Sequence, residues 1–572
     1  MGEMQIILSE TKLCQAASGL SEDRIAELER YASEKEVSLL TVLVEREGLD
    51  EVQLLGEIAS RMNVPFAAKD ISPTNEAIAM VSPRLAVAYR VMPIDIVEGE
   101  LRVATADPFD WVRWDEFLQV IGRPSRRVLC PGKVVDHLLK SHYGLGADTV
   151  DHLIGAKADG ELTLEIKDAS TDLTAEDIAN EPTVVNFVNK IVAEAISTDA
   201  TDIHFEPYDS KYRVRYRIDG VLENVPVPIS VRQLKAAIVS RIKIMAHLDI
   251  TEKRLPQDGR AKVTLAGFDY DLRISVLPGV FGEAVNIRIQ RRQMVKLDLE
   301  NLGFHSQQRE QVDRLITRPH GLILVTGPTG SGKTTTLYTC LQKINNDDTK
   351  IITVEDPVEY WMEDILQMQV HDEIGFTFAA ALRGVLRHDP DVLLVGEIRD
   401  RETADIAIRA SLTGHLVFAT LHTNDASSAV TRLLDIGIEP FLAASSINGI
   451  LAQRLVRNVC THCKEVQAPE TYEPYEQALL DREGLSEVHM YYGKGCDKCR
   501  FTGYRGRSAI GEVLLLNPAI RAMVQQRQPA EIIKRQALED GMQSLQIGAL
   551  RAAKQGVTTI AEVLRVTQGE EG

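Results

Sequence analysis

One stretch of eight residues narrows the folds open to this chain more than any other. Gly327-Pro328-Thr329-Gly330-Ser331-Gly332-Lys333-Thr334 fits the pattern G-x-x-x-x-G-K-[ST]. The apolar run Leu322 to Val325 precedes it, and Leu337, Leu341 and Ile344 follow at helical spacing. Strand, glycine loop and helix are the order phosphate binding needs. Glycines let backbone N–H groups close around phosphate oxygens, and the helix N-terminus adds its positive end. Lys333 would neutralise the β- and γ-phosphates of ATP, and the Thr334 hydroxyl would bind Mg²⁺, with Thr335 behind it in the first turn. The plainer alternative is a glycine turn with an incidental lysine.

Hydrolysis also needs acidic groups. Asp391-Val392-Leu393-Leu394-Val395-Gly396-Glu397 reads as a buried strand ending in a carboxylate. Gly396 stands where P-loop enzymes often carry a magnesium-binding aspartate, so another carboxylate must help. Glu355, in Thr353-Val354-Glu355-Asp356-Pro357-Val358-Glu359, is the expected source, and Glu397 is expected to polarise the attacking water. A charged turn stopped by Pro357 is the alternative for that cluster. His422 lies just past the apolar run Leu416 to Ala419, where open α/β sheets bind ligands, and is expected to sense the γ-phosphate. His415 is expected to be structural.

From Gly321 onward, short β-branched runs alternate with helical patterns: Leu322 to Thr326, Ile351 to Val354, Val392 to Val395 and Leu416 to Ala419. That alternation predicts a mostly parallel sheet covered by helices. At 572 residues the chain exceeds what one hydrophobic core can organise, and three or four domains are expected. Helical spacing appears between 20 and 66 (Ile25, Leu28, Ala32; Leu54, Leu55, Ile58, Met62), and mixed strands and helices follow to about Tyr143. Residues 146–177 read as a linker. In 178–296, Tyr212-Arg213-Val214-Arg215-Tyr216-Arg217-Ile218 alternates apolar and basic side chains as a half-buried strand does. Its basic face is either a solvated strand face or one that meets phosphates.

The bulk charge excludes some classes. With 83 acidic against 64 basic side chains the formal net charge is -19, so a broad electrostatic grip on nucleic acid is not expected. No apolar run reaches the length of about eighteen residues needed to cross a bilayer, and Met1-Gly2-Glu3-Met4 does not begin a signal peptide. A cytoplasmic chain that meets the membrane only through partners is expected. Of seven cysteines, four form two knuckles, Cys460-Thr461-His462-Cys463 and Cys496-Asp497-Lys498-Cys499. Four thiolates at that spacing suit a closed structural Zn²⁺ site rather than a redox pair.

These segments, in this order, resemble the ATPases of type II secretion systems and type IV pili, in the secretion and pilus-extension branch of the secretion ATPase superfamily. Gly327 to Thr334 resembles its Walker A motif, Ile352 to Tyr360 its aspartate box, Val395 to Asp400 its atypical Walker B, and Thr413 to Asn424 its histidine box. Leu255 to Arg260 and Asp202 to Pro207 resemble segments of its second N-terminal domain. The resemblance implies an α/β multidomain chain. The expected parts are a P-loop RecA-like core at 301–455, a preceding PAS-like α+β domain at 178–296, a zinc-binding subdomain at 456–515 and a C-terminal helical region at 516–572. The N-terminal α+β domain at 1–145 resembles the family less strongly, through Ala104 to Pro108 and His142-Tyr143-Gly144.

It further implies a homohexamer, in which arginines of the second N-terminal domain, Arg215 and Arg217, reach the nucleotide, with Arg383 and Arg387 also at the site. A hinge is expected near Val295 to Asn301. The implied partners are a polytopic inner-membrane platform protein and a membrane-anchored docking protein that receives the N-terminal domain, which place the chain at the cytoplasmic face of the inner membrane. Some relatives bind cyclic di-GMP through a segment beginning Arg-Leu-Gly; none precedes residue 145, so that ligand is not expected. Two rival readings are a zinc-bearing nucleic-acid motor and a nucleotide-gated scaffold with little turnover.

Overall fold

The structure is a computed structural model, and it describes residues 10–35, 37–68, 71–144, 182–291, 298–468, 471–485 and 488–567. The linker read at 146–177 and residues 295–297 of the hinge segment lie outside the described residues. The chain divides into two compact units: Met1–Val263 with Leu272–Ile289, and Thr264–Asp271 with Gln290–Gly572.

The first unit opens with four helices, Glu10–Ser18, Glu22–Lys35, Leu39–Arg46 and Glu51–Met62, around Cys14, Leu28, Leu43, Leu55 and Ile58. Asp50 starts the fourth by accepting from the N–H groups of Val52 and Gln53, and Asn63 ends it in the left-handed region. A three-stranded sheet follows, β1 (Val91–Val97), β2 (Glu100–Thr105) and β3 (Ser125–Leu129), in the order β1-β2-β3. Next comes a six-stranded sheet, ordered β6-β5-β4-β9-β8-β7. Its strands are β4 (Ala200–Pro207), β5 (Tyr212–Ile218), β6 (Val221–Val225), β7 (Gln257–Leu265), β8 (Phe268–Gly279) and β9 (Gly282–Arg291). Strand β5 shows the expected alternation: Tyr212, Val214, Tyr216 and Ile218 are buried and the arginines between them are not. The helix Pro182–Ser197 buries Phe187, Val188 and Ile191, and the Tyr216 hydroxyl donates to the Ile191 carbonyl at 2.8 Å.

The second unit is built on a seven-stranded sheet in the order β12-β11-β13-β14-β10-β15-β18. Its strands are β10 (Gly321–Thr326), β11 (Ile351–Glu355), β12 (Leu366–Gln369), β13 (Val392–Val395), β14 (Leu416–Leu421), β15 (Ile447–Val459) and β18 (Tyr504–Leu515). All neighbours are parallel except β15 and β18. Because side chains alternate along a strand, each apolar run divides between two cores. Leu322, Leu324, Val417 and Ala419 face helices that include Arg401–Leu412 and Ala426–Asp435. Ile323, Val325, Leu416 and Phe418 face Ser306–Ile316 and the loop-following helix Lys333–Ile344. Burial on both faces is why these strands read as continuous apolar runs.

The boundary read at 455/456 needs correction, because it cuts through β15. The segment 456–515 ends in β18, which pairs with β15 from Gly449↔Leu515 to Val459↔Tyr504. Ala509, Ile510, Val513 and Leu514 are buried, and apolar side chains on that scale require a place in the sheet. What stands apart is the insertion between β15 and β18, with its small sheet of β16 (Lys464–Val466) and β17 (Tyr491–Gly493). The C-terminal region is likewise not separate: Ile520, Val524, Ile533 and Ala537 belong to the same core as Leu322.

Phe418, fully buried on β14, tests this core. Phe418→Ala should destabilise the second unit by about 3–5 kcal/mol, read as an earlier urea transition of nucleotide protection.

Candidate functional site

The phosphate loop leaves the C-terminal end of β10. Gly327, Gly330 and Gly332 have φ of 147°, 77° and 87°, the region that favours glycine. Close approach also demands glycine at the first position, since a Cβ on Gly327 would stand 2.5 Å from the Gln453 carbonyl oxygen. Lys333 curls back over the loop, and its Nζ donates to the Gly327 and Pro328 carbonyls at 2.8 and 3.1 Å. Burial, and then Arg454, lower its pKa to about 8. Thr334 and Thr335 are half-buried in the first turn of the helix.

The sequence analysis missed Gln453. It is fully buried on β15, and its Nε2 donates to the Ser331 carbonyl at 2.6 Å. A glutamine within an apolar strand next to the loop strand was the available signal, but its partner is 122 residues away.

The acidic and histidine segments leave neighbouring strand ends on the same edge. Glu397 follows β13 and His422 follows β14, and His422 Nε2 lies 3.0 Å from Glu397 Oε2. Burial, with Lys333 and Arg399, pushes the His422 pKa down; toward an ionised carboxylate, which only accepts, the ring N–H is the donor. The other carboxylate oxygen of Glu397 pairs with Arg399, which also reaches Asp356 at 3.6 Å. Gly396 has a physical reason as well: a Cβ there would stand 3.2 Å from both the Glu355 Cα and the Val354 carbonyl. A larger residue there would have to push the neighbouring strand back by a few tenths of an ångström.

Glu355 is buried at the end of β11 with both oxygens engaged. Tyr338 donates to one at 2.5 Å, and Thr353 and Gln367 donate to the other at 2.6 and 3.4 Å. Burial raises its pKa, opposed by those hydrogen bonds. His415 fills the expected structural place, with Nδ1 2.9 Å from the Ala410 carbonyl oxygen.

The arginines are less convergent. Arg215 is held by both oxygens of Glu206, at 2.5 and 2.9 Å, and Arg217 donates to the Gly220 carbonyl at 2.9 Å. Arg383 pairs with Glu402, and Arg387 donates to the Arg383 carbonyl at 2.6 Å; both side chains are exposed. Arg260, Arg273 and Arg288, none of them singled out from sequence, line a cavity of about 420 Å³ in the first unit together with Ser275 and Asn286.

The four knuckle cysteines come together between β15 and β18, with all four Sγ atoms within 4.8 Å of one another. Cys499 Sγ accepts N–H groups from Cys496 at 3.1 Å and Gly503 at 3.3 Å, the surroundings a thiolate ligand uses. The donor set fits tetrahedral zinc.

A glycine loop at the end of a parallel strand, with a carboxylate and a histidine from the next strands on the same edge, defines the class: a P-loop ATPase of the open α/β type. Comparison with known proteins makes the assignment narrower. The family described as Type II/IV secretion system protein matches residues 177–565, more than half of the chain, and the MshEN domain matches 62–149. The chain is 41% identical over 531 residues to the type IV pilus assembly ATPase PilB of Myxococcus xanthus, covering 92% of each. It is 48% identical over 387 residues to type II secretion system protein E of Pseudomonas aeruginosa, covering 68% of this chain and 76% of that one. The solved structure of the Legionella pneumophila ATPase DotB shares the fold, with a TM-score of 0.50 at 19% identity over 67% of this chain and 96% of that chain. The protein belongs to the Type II/IV secretion system family and is one of its ATPases.

Gln453→Leu removes the donor that holds the loop carbonyl while keeping the volume of the side chain. It should weaken nucleotide binding about tenfold, the effect of losing one buried hydrogen bond of about 1–2 kcal/mol, measured by titration with a fluorescent ATP analogue.

Proposed function

We propose that the chain is a hexameric, magnesium-dependent motor that drives type II protein secretion or type IV pilus assembly. The observation that carries this reading is the meeting of Lys333, Glu397 and His422 on one sheet edge, in a chain that shares 41% identity with a pilus assembly ATPase over 92% of its length. Relatives named for secretion and for pilus assembly support both machines.

ATP would displace the Lys333 ammonium from the loop carbonyls onto its β- and γ-phosphates, and the loop N–H groups would take the remaining phosphate charge. Magnesium, held by the Thr334 hydroxyl, would offset charge on the phosphate oxygens. Glu355, already accepting three hydrogen bonds, fits a supporting role near the metal better than direct ligation. Glu397 would act as general base toward the attacking water, and His422 would report the γ-phosphate through its bond to that carboxylate. An arginine of the preceding domain would complete the charge balance. Arg215 would first have to leave Glu206, and Arg288 would have to leave Asp202, to which it donates at 3.2 Å beside Arg260 and Arg273 in a cavity that Asp258 also lines.

Among the described residues no helix is long and apolar enough to cross a membrane. A place at the cytoplasmic face of the inner membrane would therefore come through a platform protein and a membrane-anchored docking protein, the latter engaging the N-terminal domain. Four protein thiolates leave zinc no open position, so its part is structural: it would tie off the insertion between β15 and β18.

Two substitutions should separate binding from hydrolysis. Lys333→Ala is expected to lose both nucleotide affinity and turnover. Glu397→Gln is expected to bind ATP and retain it uncleaved, with turnover reduced at least 10²-fold. Filter-retained labelled ATP and phosphate release, each with and without membranes carrying the platform protein, distinguish these outcomes. Wild-type turnover in Glu397→Gln would remove that residue from the mechanism.

Metal analysis of the purified protein should find about one zinc per chain. Cys499→Ser should lower that content and make the insertion between β15 and β18 sensitive to protease, while ATP binding persists. A metal-free wild type with four freely titratable knuckle thiols would contradict the assignment.

A further inference from the structure

We propose that Arg399 is a positioning residue for hydrolysis: placed between Asp356 and Glu397, it fixes the direction of the carboxylate that activates water. The proposal rests on the reading of Glu397 as general base. Three strand ends supply the parts: Asp356 follows β11, Glu397 and Arg399 follow β13, and His422 follows β14. Arg399 Nη1 lies 3.6 Å from Asp356 Oδ2 while its Nη2 pairs with Glu397 Oε1, and His422 Nε2 meets Glu397 Oε2 at 3.0 Å. Oε1 thus faces the Arg399 guanidinium as an ion pair, without a hydrogen bond of regular geometry, and Oε2 faces the His422 imidazole. Since an ionised carboxylate has about four acceptor positions, room for a water remains.

The backbone around this group is tied down by hydrogen bonds on both sides. The Gly396 N–H donates to the Val354 carbonyl at 2.8 Å, and the Gly396 carbonyl accepts from the Thr420 hydroxyl at 2.6 Å. The Ile398 N–H donates to the Thr420 carbonyl at 3.0 Å, with its side chain buried in the core. Asp400 caps the helix Arg401–Leu412 by accepting from the Thr403 N–H at 2.8 Å. What the main chain leaves open is the side-chain torsions of Glu397, and Arg399 with His422 closes them. Stability does not account for the arginine. Its side chain is 60% exposed, and ion pairs of that kind contribute little to folding. Orientation does account for it, because small displacements of a reacting group cost much more in rate than in stability.

The test compares Arg399→Gln, Arg399→Lys, Asp356→Asn and the Arg399→Gln/Asp356→Asn double variant in the full chain. Steady-state turnover and single-turnover cleavage of bound ATP are both measured. Arg399→Gln should lower kcat about 10- to 100-fold with KM for ATP changed less than about twofold. Arg399→Lys, which keeps the charge but not the two-sided fork, should recover part of that loss. Asp356→Asn should lower kcat less, and the double variant should be no slower than Arg399→Gln, because the aspartate acts through the arginine. A raised KM at unchanged kcat, strictly additive losses in the double variant, or faster turnover in Arg399→Gln would each overturn the proposal. Wild-type kinetics in Arg399→Gln, beside a Glu397→Gln control that binds but does not cleave, would overturn it and leave the reading of Glu397 intact. If Glu397→Gln itself cleaves normally, the reading falls and the proposal with it.

Discussion

Strand β10 is buried along its whole length, from Gly321 to Thr326. Every one of its backbone N–H and C=O groups must therefore find a partner within the sheet. β14 takes one side, from Gly321↔Leu416 to Thr326↔Leu421, and β15 takes the other, from Leu322↔Ile447 to Thr326↔Ala452. Those registers decide the level at which each chain leaves the sheet. The phosphate loop begins at Gly327, His422 follows Leu421, and Gln453 follows Ala452 within β15, so all three lie side by side at the level where β10 and β14 end. The Thr326 hydroxyl, 2.8 Å from the Thr423 hydroxyl and 3.0 Å from the Leu421 carbonyl oxygen, ties the first two together.

The electrostatics of this edge follow from the same geometry. The chain as a whole carries a formal charge of -19, yet Lys333, Arg399 and Arg454 gather where the strands end. Burial and then Arg454 lower the Lys333 pKa, and burial with Lys333 and Arg399 lowers that of His422. Such crowding of like charge is unfavourable until an anion arrives, and phosphate binding relieves it. Asp356 and Glu397 partly balance Arg399 in the meantime.

Strands β15 and β18 connect this edge to the four cysteines. Gln453 and Arg454 touch the nucleotide side, where Arg454 donates to the Asn424 carbonyl at 2.9 Å and Gln453 to that of Ser331. On β18, Glu512 accepts from the Ala426 N–H at 2.7 Å, at the start of the helix that follows the histidine segment. The same two strands run on to Cys460 and back from Cys499, and the Cys460 N–H donates to the Gly503 carbonyl at 2.9 Å. One antiparallel ribbon thus carries contacts to the phosphate loop and, further along, the insertion that holds the four-cysteine cluster.

Local chemistry made much of this legible from sequence. The glycine loop, the β-branched runs of β10, β11, β13 and β14, and the paired cysteines each depend on residues close together in the chain, and each appears where its pattern places it. Parallel order and emergence at one edge follow from strand–helix alternation, which allows few other arrangements. Tertiary structure alone decided the rest. It put Gln453 against Ser331 and drew β18 into a sheet from which the sequence boundary had excluded it. It bound Arg215 to Glu206, engaged both oxygens of Glu355, and set Arg399 between Asp356 and Glu397. Apart from the nearby Arg215–Glu206, Thr353–Glu355 and Arg399–Glu397 pairs, these arrangements hang on strand pairing and close backbone approach between distant segments, the same approach that crowds a side chain at 396. A residue's type shows what it can bond; which partner it meets is set by the packing of strands that are far apart in sequence.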